Sequence, residues 1–424
     1  MPSLLLFALL AGSPGAQAAA PQARAAPAAP VPAPDLKAIA ALVAKDQLGA
    51  AERQLRQILA QGSDPAARAL LGVVLSRQGK AEEAERQLRQ ALAANPALGQ
   101  ARQHLARLYL AENRESEAVA ELRRAAQQEA LERDLALKLA SVEQAAGNPA
   151  LAERQLRSAA ERFRSVAALV QLARLQSSQR DTAGALESLR RARAVAPNSE
   201  DVLSATAQVA LGARAPVPAI LALEPLTRMC PRVAQYPYLL GVALMQAGDM
   251  VAAVEPLQQA ERLEPDRALT LVALGLALNG RKMYAEAKPH LVRSLEREPD
   301  NVEALAALAE SEDGLGELGQ AEAHAARALQ KVSTHATANL VLGMVRMKQE
   351  RYEEAREALE RAVQSDPASP KAHYQLSLAY ARLGDTPSAR QQVDLYQKKL
   401  REIELRVNEL RTATGLSGGG GMGR

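Results

Sequence analysis

Small and apolar residues recur along this chain at a step of 34, and the columns they form can be followed for ten turns. Alanine stands at Ala84, Ala118, Ala152, Ala185, Ala219, Ala253, Ala287, Ala321, Ala355 and Ala389, with one step of 33. Four residues later comes leucine in eight of the ten, with Ala325 and Val393 as exceptions. Twelve residues before each alanine sits another small residue, as at Gly72, Ala106, Gly241, Gly275, Gly343 and Ser377. Leucine precedes that residue in nine of ten cases, and proline follows the alanine by twelve in six: Pro96, Pro197, Pro231, Pro265, Pro299 and Pro367. Five coincident columns make this a repeat protein.

A 34-residue unit holds two amphipathic helices of about 12–14 residues and two short turns. Small residues in the first helix (Gly241) and second (Ala253) permit close backbone approach, because helix spacing follows the side chains at the contact. Leucines such as Leu240 and Leu257 fill the hollow beside them. Gly79, Gly147, Gly248, Gly316 and Gly384 fall between the helices, where a C-terminal cap wants positive φ. The prolines close the second helix. One hairpin cannot bury its apolar face alone, so neighbours must stack into a continuous core.

These columns resemble the tetratricopeptide repeat. The resemblance covers residues 65–403 as ten units, with a degenerate unit over residues 35–64 around Ala51 and Leu55. The family's usual tryptophan is absent, since the chain has none. The resemblance implies an all-α, right-handed superhelical solenoid of about ten to eleven helix-turn-helix units. Almost nothing remains of the chain for an inserted catalytic domain.

The two ends depart from the repeat. Leu4 to Ala11 is an apolar run followed by Gly12-Ser13-Pro14-Gly15 and Ala16-Gln17-Ala18, so residues 1–18 read as a secretory signal peptide, although Met1-Pro2-Ser3 carries no basic residue. Residues 19–34, almost only Ala and Pro, form a linker. The expected location is the periplasm or cell envelope, with the cytoplasm as the alternative for a leader that does not function. At the other end, Val393, Tyr396, Leu400, Ile403, Val407 and Leu410 keep coiled-coil spacing, and residues 404–412 extend the last helix. The seam serves either as a cap over the last repeat or, through Leu400, Ile403, Val407 and Leu410, as a dimer contact. Residues 413–424, with Gly418 to Gly421, make a glycine-rich tail.

Net charge is +4, but it is uneven: residues 35–199 carry +6, residues 200–369 carry −7 and residues 370–424 carry +4. Aromatics are 2% of residues, which leaves few platforms for stacking bases. That balance argues against a nucleic-acid partner.

Several strings imitate catalytic motifs. Gly314-Leu315-Gly316-Glu317-Leu318-Gly319 fits G-x-G-x-x-G but has no preceding strand. Gly72 to Lys80 has the wrong spacing for a phosphate loop, and Gly415-Leu416-Ser417-Gly418-Gly419 lacks the strand–turn–helix of a nucleophile elbow. His104, His290, His324, His335 and His373 show no i, i+4 pairing, and the single Cys230 has no partner for an internal disulfide. The chain is read as non-enzymatic, without metal or cofactor.

Binding remains. The resemblance implies that first helices line a concave groove for a partner segment, another protein or peptide. Helical spacing puts Tyr238, Val242, Met245, Leu269, Val272, Leu276, Leu340, Met344 and Met347 on that face, with Glu303, Glu310 and Asp313 interrupting them. An apolar floor with an acidic break suits a hydrophobic segment carrying Lys or Arg. The expected function is an adaptor or scaffold; the alternative is an accessory subunit of a polysaccharide-export or secretion machine. Pro225, Pro256 and Pro289 fall inside second helices and predict kinks, with the repeat register open around residues 214–233 and a division into two arms near 216–230.

Overall fold

The computed structural model describes residues 35–414, and the leader, the Ala/Pro linker and most of the glycine-rich tail lie outside them. The described residues fold as helices joined by short turns. The first eight are α1 (Leu36–Ala44), α2 (Leu48–Gln61), α3 (Pro65–Arg77), α4 (Ala81–Ala94), α5 (Gly99–Ala111), α6 (Glu115–Gln128), α7 (Arg133–Ala145) and α8 (Pro149–Phe163). Then come α9 (Val166–Ser178), α10 (Thr182–Val195), α11 (Glu200–Gly212), α12 (Pro216–Met229), α13 (Gln235–Gln246), α14 (Met250–Leu263) and α15 (Ala268–Gly280). The last are α16 (Tyr284–Arg297), α17 (Val302–Leu315), α18 (Leu318–Lys331), α19 (Ala336–Lys348), α20 (Tyr352–Ser365), α21 (Pro370–Arg382) and α22 (Thr386–Thr414). The chain forms two compact units, one through Leu175 and one from Gln176. That division falls within α9, not near residues 216–230.

Each hairpin turns on one residue in the left-handed region. Gly79, Gly147, Gly248, Gly316 and Gly384 have φ between 77° and 86°. Asp46, Asn113, Arg180, Arg214, Lys282 and Glu350 occupy the same place in the remaining hairpins, with φ between 51° and 65°. The left-handed residue thus recurs at every described hairpin from 46 to 384, the one between α1 and α2 included. It also settles the open register: Arg214 precedes Ala219 by five, as Gly248 precedes Ala253.

Caps close the other ends. Asp64 Oδ1 accepts from the amides of Ala66 and Ala67, and Asn301, Asp249 and Ser369 cap α17, α14 and α21 in the same way. Six second helices stop at the residue just before the proline of the repeat column: Asn95, Ala196, Cys230, Glu264, Glu298 and Asp366 are their C-caps. A residue preceding proline is pushed out of the helical region, so the stop is local and steric.

First helices lie beside one another within each unit. In the first unit α3 packs against both α1 and α5; in the second, α13, α15, α17, α19 and α21 form a continuous row. The alanine column is buried in both, with Ala84, Ala118 and Ala152 in the first and Ala219, Ala253, Ala287, Ala321 and Ala355 in the second at 0% exposure. In the second unit, Leu223, Leu257, Leu274 and Leu291 share one core cluster with residues from Leu203 to Leu308.

The interior prolines do not break their helices. Pro225, Pro256 and Pro289 lie inside α12, α14 and α16, each 14 residues long like most second helices. A proline leaves the carbonyl four residues earlier without its helix partner. For Pro225 that carbonyl is Leu221, and Arg193 Nη2 donates to it at 3.4 Å.

The final helix α22 runs 29 residues, twice the usual second-helix length. It packs on α21, where Tyr396 meets the Tyr374 ring at 5.3 Å, and it also lies against α12. Val393 and Leu400 of the predicted seam are part-exposed at 37% and 36%, and Ile403 is half-buried. The side chains of Val407 and Leu410 lie outside the described residues.

Candidate partner-binding surface

The row α13–α15–α17–α19 carries the residues that spacing assigned to the groove. They separate into three groups. Val272 and Leu340 are 6% and 8% exposed and belong to the core. Tyr238, Val242, Met245, Leu276, Met344 and Met347 are half-buried at its edge, and Leu269 stands 52% exposed. Tyr238, Met245 and Leu276 pack against one core cluster, while Met344 and Met347 pack against another that includes Leu359 and Leu376. The guanidinium of Arg267 lies over the Tyr238 ring, 4.8 Å from its centroid, a cation–π contact.

The acidic interruption on α17 is engaged from within. Lys371, at the start of α21, donates to Glu310 across the width of α19. Lys348 Nζ lies 2.7 Å from Asp313 Oδ1, and Asp313 is 3% exposed. His335 Nε2 sits 3.1 Å from a Glu303 carboxylate oxygen. Burial alone would lower the Lys371 ammonium, but Glu310 outweighs it and raises the pKa, with Tyr284 and Asp313 adding to the effect. The Glu303 carboxyl is held below its usual range by the His335 hydrogen bond, against the opposing effect of burial. The partners of these acids come from other helices. Residues 310 and 371 are 61 positions apart, so no local spacing links them.

Behind this surface lies a buried polar layer that sequence reading missed. Asn279 Nδ2 donates to the Ala307 carbonyl at 2.7 Å, and Ser311 Oγ donates to Asn279 Oδ1 at 2.7 Å. Next to it, Glu312 is 1% exposed and meets His324 Nδ1 at 2.7 Å. The Ser311-Glu312-Asp313 run was its one legible signal, three polar residues in the stretch of α17 that packs on neighbouring helices. These groups are satisfied by one another, which locks α15, α17 and α18 in register.

The imitation motifs resolve into framework. Gly314 faces the Tyr284 ring, Gly316 takes φ 81° and Gly319 lies within α18. Gly72 lies in α3 under Leu88, and Gly79 takes the turn. Cys230 caps α12 as a free, part-exposed thiol, its pKa raised by burial and then by Glu200. Among the described residues no group of three His, Cys, Asp or Glu is placed to hold a metal ion. Among them, too, no helix is long and apolar enough to cross a membrane.

Comparison with known proteins agrees with this architecture. Family models described as tetratricopeptide repeat match residues 71–131, 205–268, 272–336 and 340–400, and a second such model matches 167–199. The chain belongs to the tetratricopeptide-repeat family, and its fold is an all-α helical-repeat solenoid. No curated protein matches it in sequence. Among solved structures, it is similar to a tetratricopeptide repeat protein from Parabacteroides merdae, with 16% identity and TM-score 0.47, over 58% of this chain and 98% of that one. It is also similar to yeast Tom70, with 12% identity and TM-score 0.40, over 89% of this chain and 94% of the other.

Proposed function

We propose that this protein is a non-catalytic interaction scaffold that takes an apolar segment of a partner polypeptide on the α13–α19 row. The observation that carries the reading is Leu269, 52% exposed on α15 beside the half-buried Leu276, with Tyr238, Val242 and Met245 on the adjacent α13. Exposed leucine flanked by half-buried apolar side chains offers area that a partner can remove from water at about 25 cal/mol per Å². Glu310 and Asp313 already hold Lys371 and Lys348, so the acidic stretch favours an apolar segment over a basic one.

The reading places the protein in the cell envelope, on the strength of its leader sequence alone. Photo-crosslinking in the native host from Val242, Leu276 and Met344 tests the whole proposal, with Glu357, exposed on the second helix α20, as control. A discrete polypeptide trapped from the row and not from Glu357 is the expected result. Identical products from all four positions would overturn it.

A further inference from the structure

The last hairpin, α21 and α22, turns to solvent a face that its predecessor packs against a neighbour. On α19 and α20, Leu340 and Leu359 are 8% and 0% exposed, because Ala372 and Leu376 of the following first helix join them in one core cluster. One step of 34 further on, Tyr374 and Val393 hold the same two places and are 42% and 37% exposed. Met344 is half-buried, and its counterpart Leu378 is 38% exposed.

The described residues supply no cover for this face. The step would begin another first helix at residue 404, but α22 runs on through that place to Thr414. It lies against α12 as well, and the four side chains stay exposed with that contact in place. Leu400, one turn beyond Tyr396, lengthens the stripe at 36% exposure. Tyr396 meets Tyr374 at 5.3 Å between ring centroids, so the two helices present one apolar surface. With Leu405 the hairpin exposes five large apolar side chains, and no other described hairpin exposes more than two. Single exposed apolar residues are ordinary, whereas a contiguous set marks a contact surface.

The cover found one hairpin earlier defines what fits. It is a helix antiparallel to α20 with apolar residues four apart, Ala372 and Leu376. The open face carries such a pair itself, since Tyr374 and Leu378 are four apart on α21. A two-fold axis parallel to the helices sets α21 of a second copy against α22 in the antiparallel sense that α21 takes against α20, and does so twice. Such an axis preserves height along the helices, so Tyr374 of one copy comes level with Tyr396 of the other and Leu378 with the turn holding Val393. Around the α22 stripe, the exposed Asp394, Lys398, Arg401 and Glu404 include two charges of each sign, so like faces meet there without net repulsion. The first hairpin, α1 and α2, exposes no large apolar side chain, which leaves a head-to-tail contact without its second half.

We infer that the α21–α22 face is a self-association surface, through which two copies of this chain pair about a two-fold axis parallel to the helices. Tyr374 and Leu378 of each copy pack on Val393, Tyr396 and Leu400 of the other. The contact replaces the missing next hairpin at both ends of the pair, and it removes from water the apolar side chains that stacking covers elsewhere.

Sedimentation velocity of the full chain under reducing conditions, over a concentration series, tests the inference. Wild type should reach twice the mass of one chain by tens of micromolar. Leu378→Glu and, separately, Leu400→Glu should weaken the association at least tenfold, whereas Val242→Asp should leave it unchanged. A second measurement is independent of whether the glutamates disturb folding. In a Cys230→Ser background, chains carrying only Leu378→Cys are mixed with chains carrying only Val393→Cys and oxidised mildly. The mixture should give more disulfide-linked pair than either variant alone. Wild type that stays monomeric throughout the series, unchanged association in both glutamate variants, or no excess of linked pair in the mixture would each overturn the inference. Loss of association in Val242→Asp alone would overturn it too, by moving the contact to the α13–α19 row.

Discussion

Leu257 lies directly over Gly241: a Cβ added to that glycine would meet Leu257 Cγ at 2.4 Å. The same relationship joins Gly72 to Leu88, Gly275 to Leu291 and Gly343 to Leu359, at 2.5 or 2.6 Å. The leucine of the second helix is thus seated against bare backbone of the first, which is why these two columns hold sixteen residues apart.

Replacing Gly241 with Val should overpack this contact and destabilise its hairpin by about 1–3 kcal/mol. Urea unfolding followed by circular dichroism measures the loss. Since solenoid stability is nearly a sum over neighbours, hydrogen exchange should accelerate in α13, α14 and adjacent helices first. Gly241→Ala should cost less, because alanine holds this place in five other hairpins, for example Ala106 above Leu122. A uniform rise in exchange along the whole unit would contradict the local account.

Backbone sign makes a second test. Lys282 adopts φ 61° where five other hairpins have glycine, and a left-handed L-residue carries roughly 1–2 kcal/mol of strain. Lys282→Gly should therefore be neutral to stabilising by about 0.5 kcal/mol, after the larger entropy loss of glycine. Gly316→Ala, at φ 81°, should lose about 1 kcal/mol. Paired thermal melts compare the two, and equal effects of the same sign would refute the assignment.

His104 gives the first unit a pH dependence. Although part of its ring reaches the surface, burial among the first helices, with the nearby Arg107, pushes its pKa down to about 4. The unfolded chain takes up that proton near pH 6.5. The folded pKa is depressed, so the contribution is present above pH 6.5 and is lost as pH falls towards 4. His104→Gln should flatten the fall in urea midpoint between these limits by the equivalent of about 1 kcal/mol, allowing for partial exposure. An unchanged slope would assign the acid sensitivity to other groups.

For the proposed partner surface, Val242→Asp together with Leu276→Asp should remove partner capture and leave the circular-dichroism melt within error of wild type. Both side chains are only half-buried, so a charge there can remain solvated. Retained capture with an unchanged melt would rule out the row as the site.

Much of the hairpin was legible because its determinants are local. The turn residue Gly316, the stop before Pro265 and the Gly241–Leu257 pair all act within one hairpin, and periodicity exposes them. Groove residues were legible only as a face. Helical spacing groups Val272 with Leu276, but the packing of α17 on α15 buries one and leaves the other at the edge.

The sequence by itself determined the repeat length, the all-α class, the hairpin turns and the continuation of α22 beyond its repeat, since each follows from backbone preference and apolar period over a few residues. Only the tertiary structure decided that Lys371 pairs with Glu310 and Lys348 with Asp313, and that α22 lies against α12. Those outcomes depend on how side chains from separate hairpins fill or miss a shared space. No spacing along one helix encodes that space.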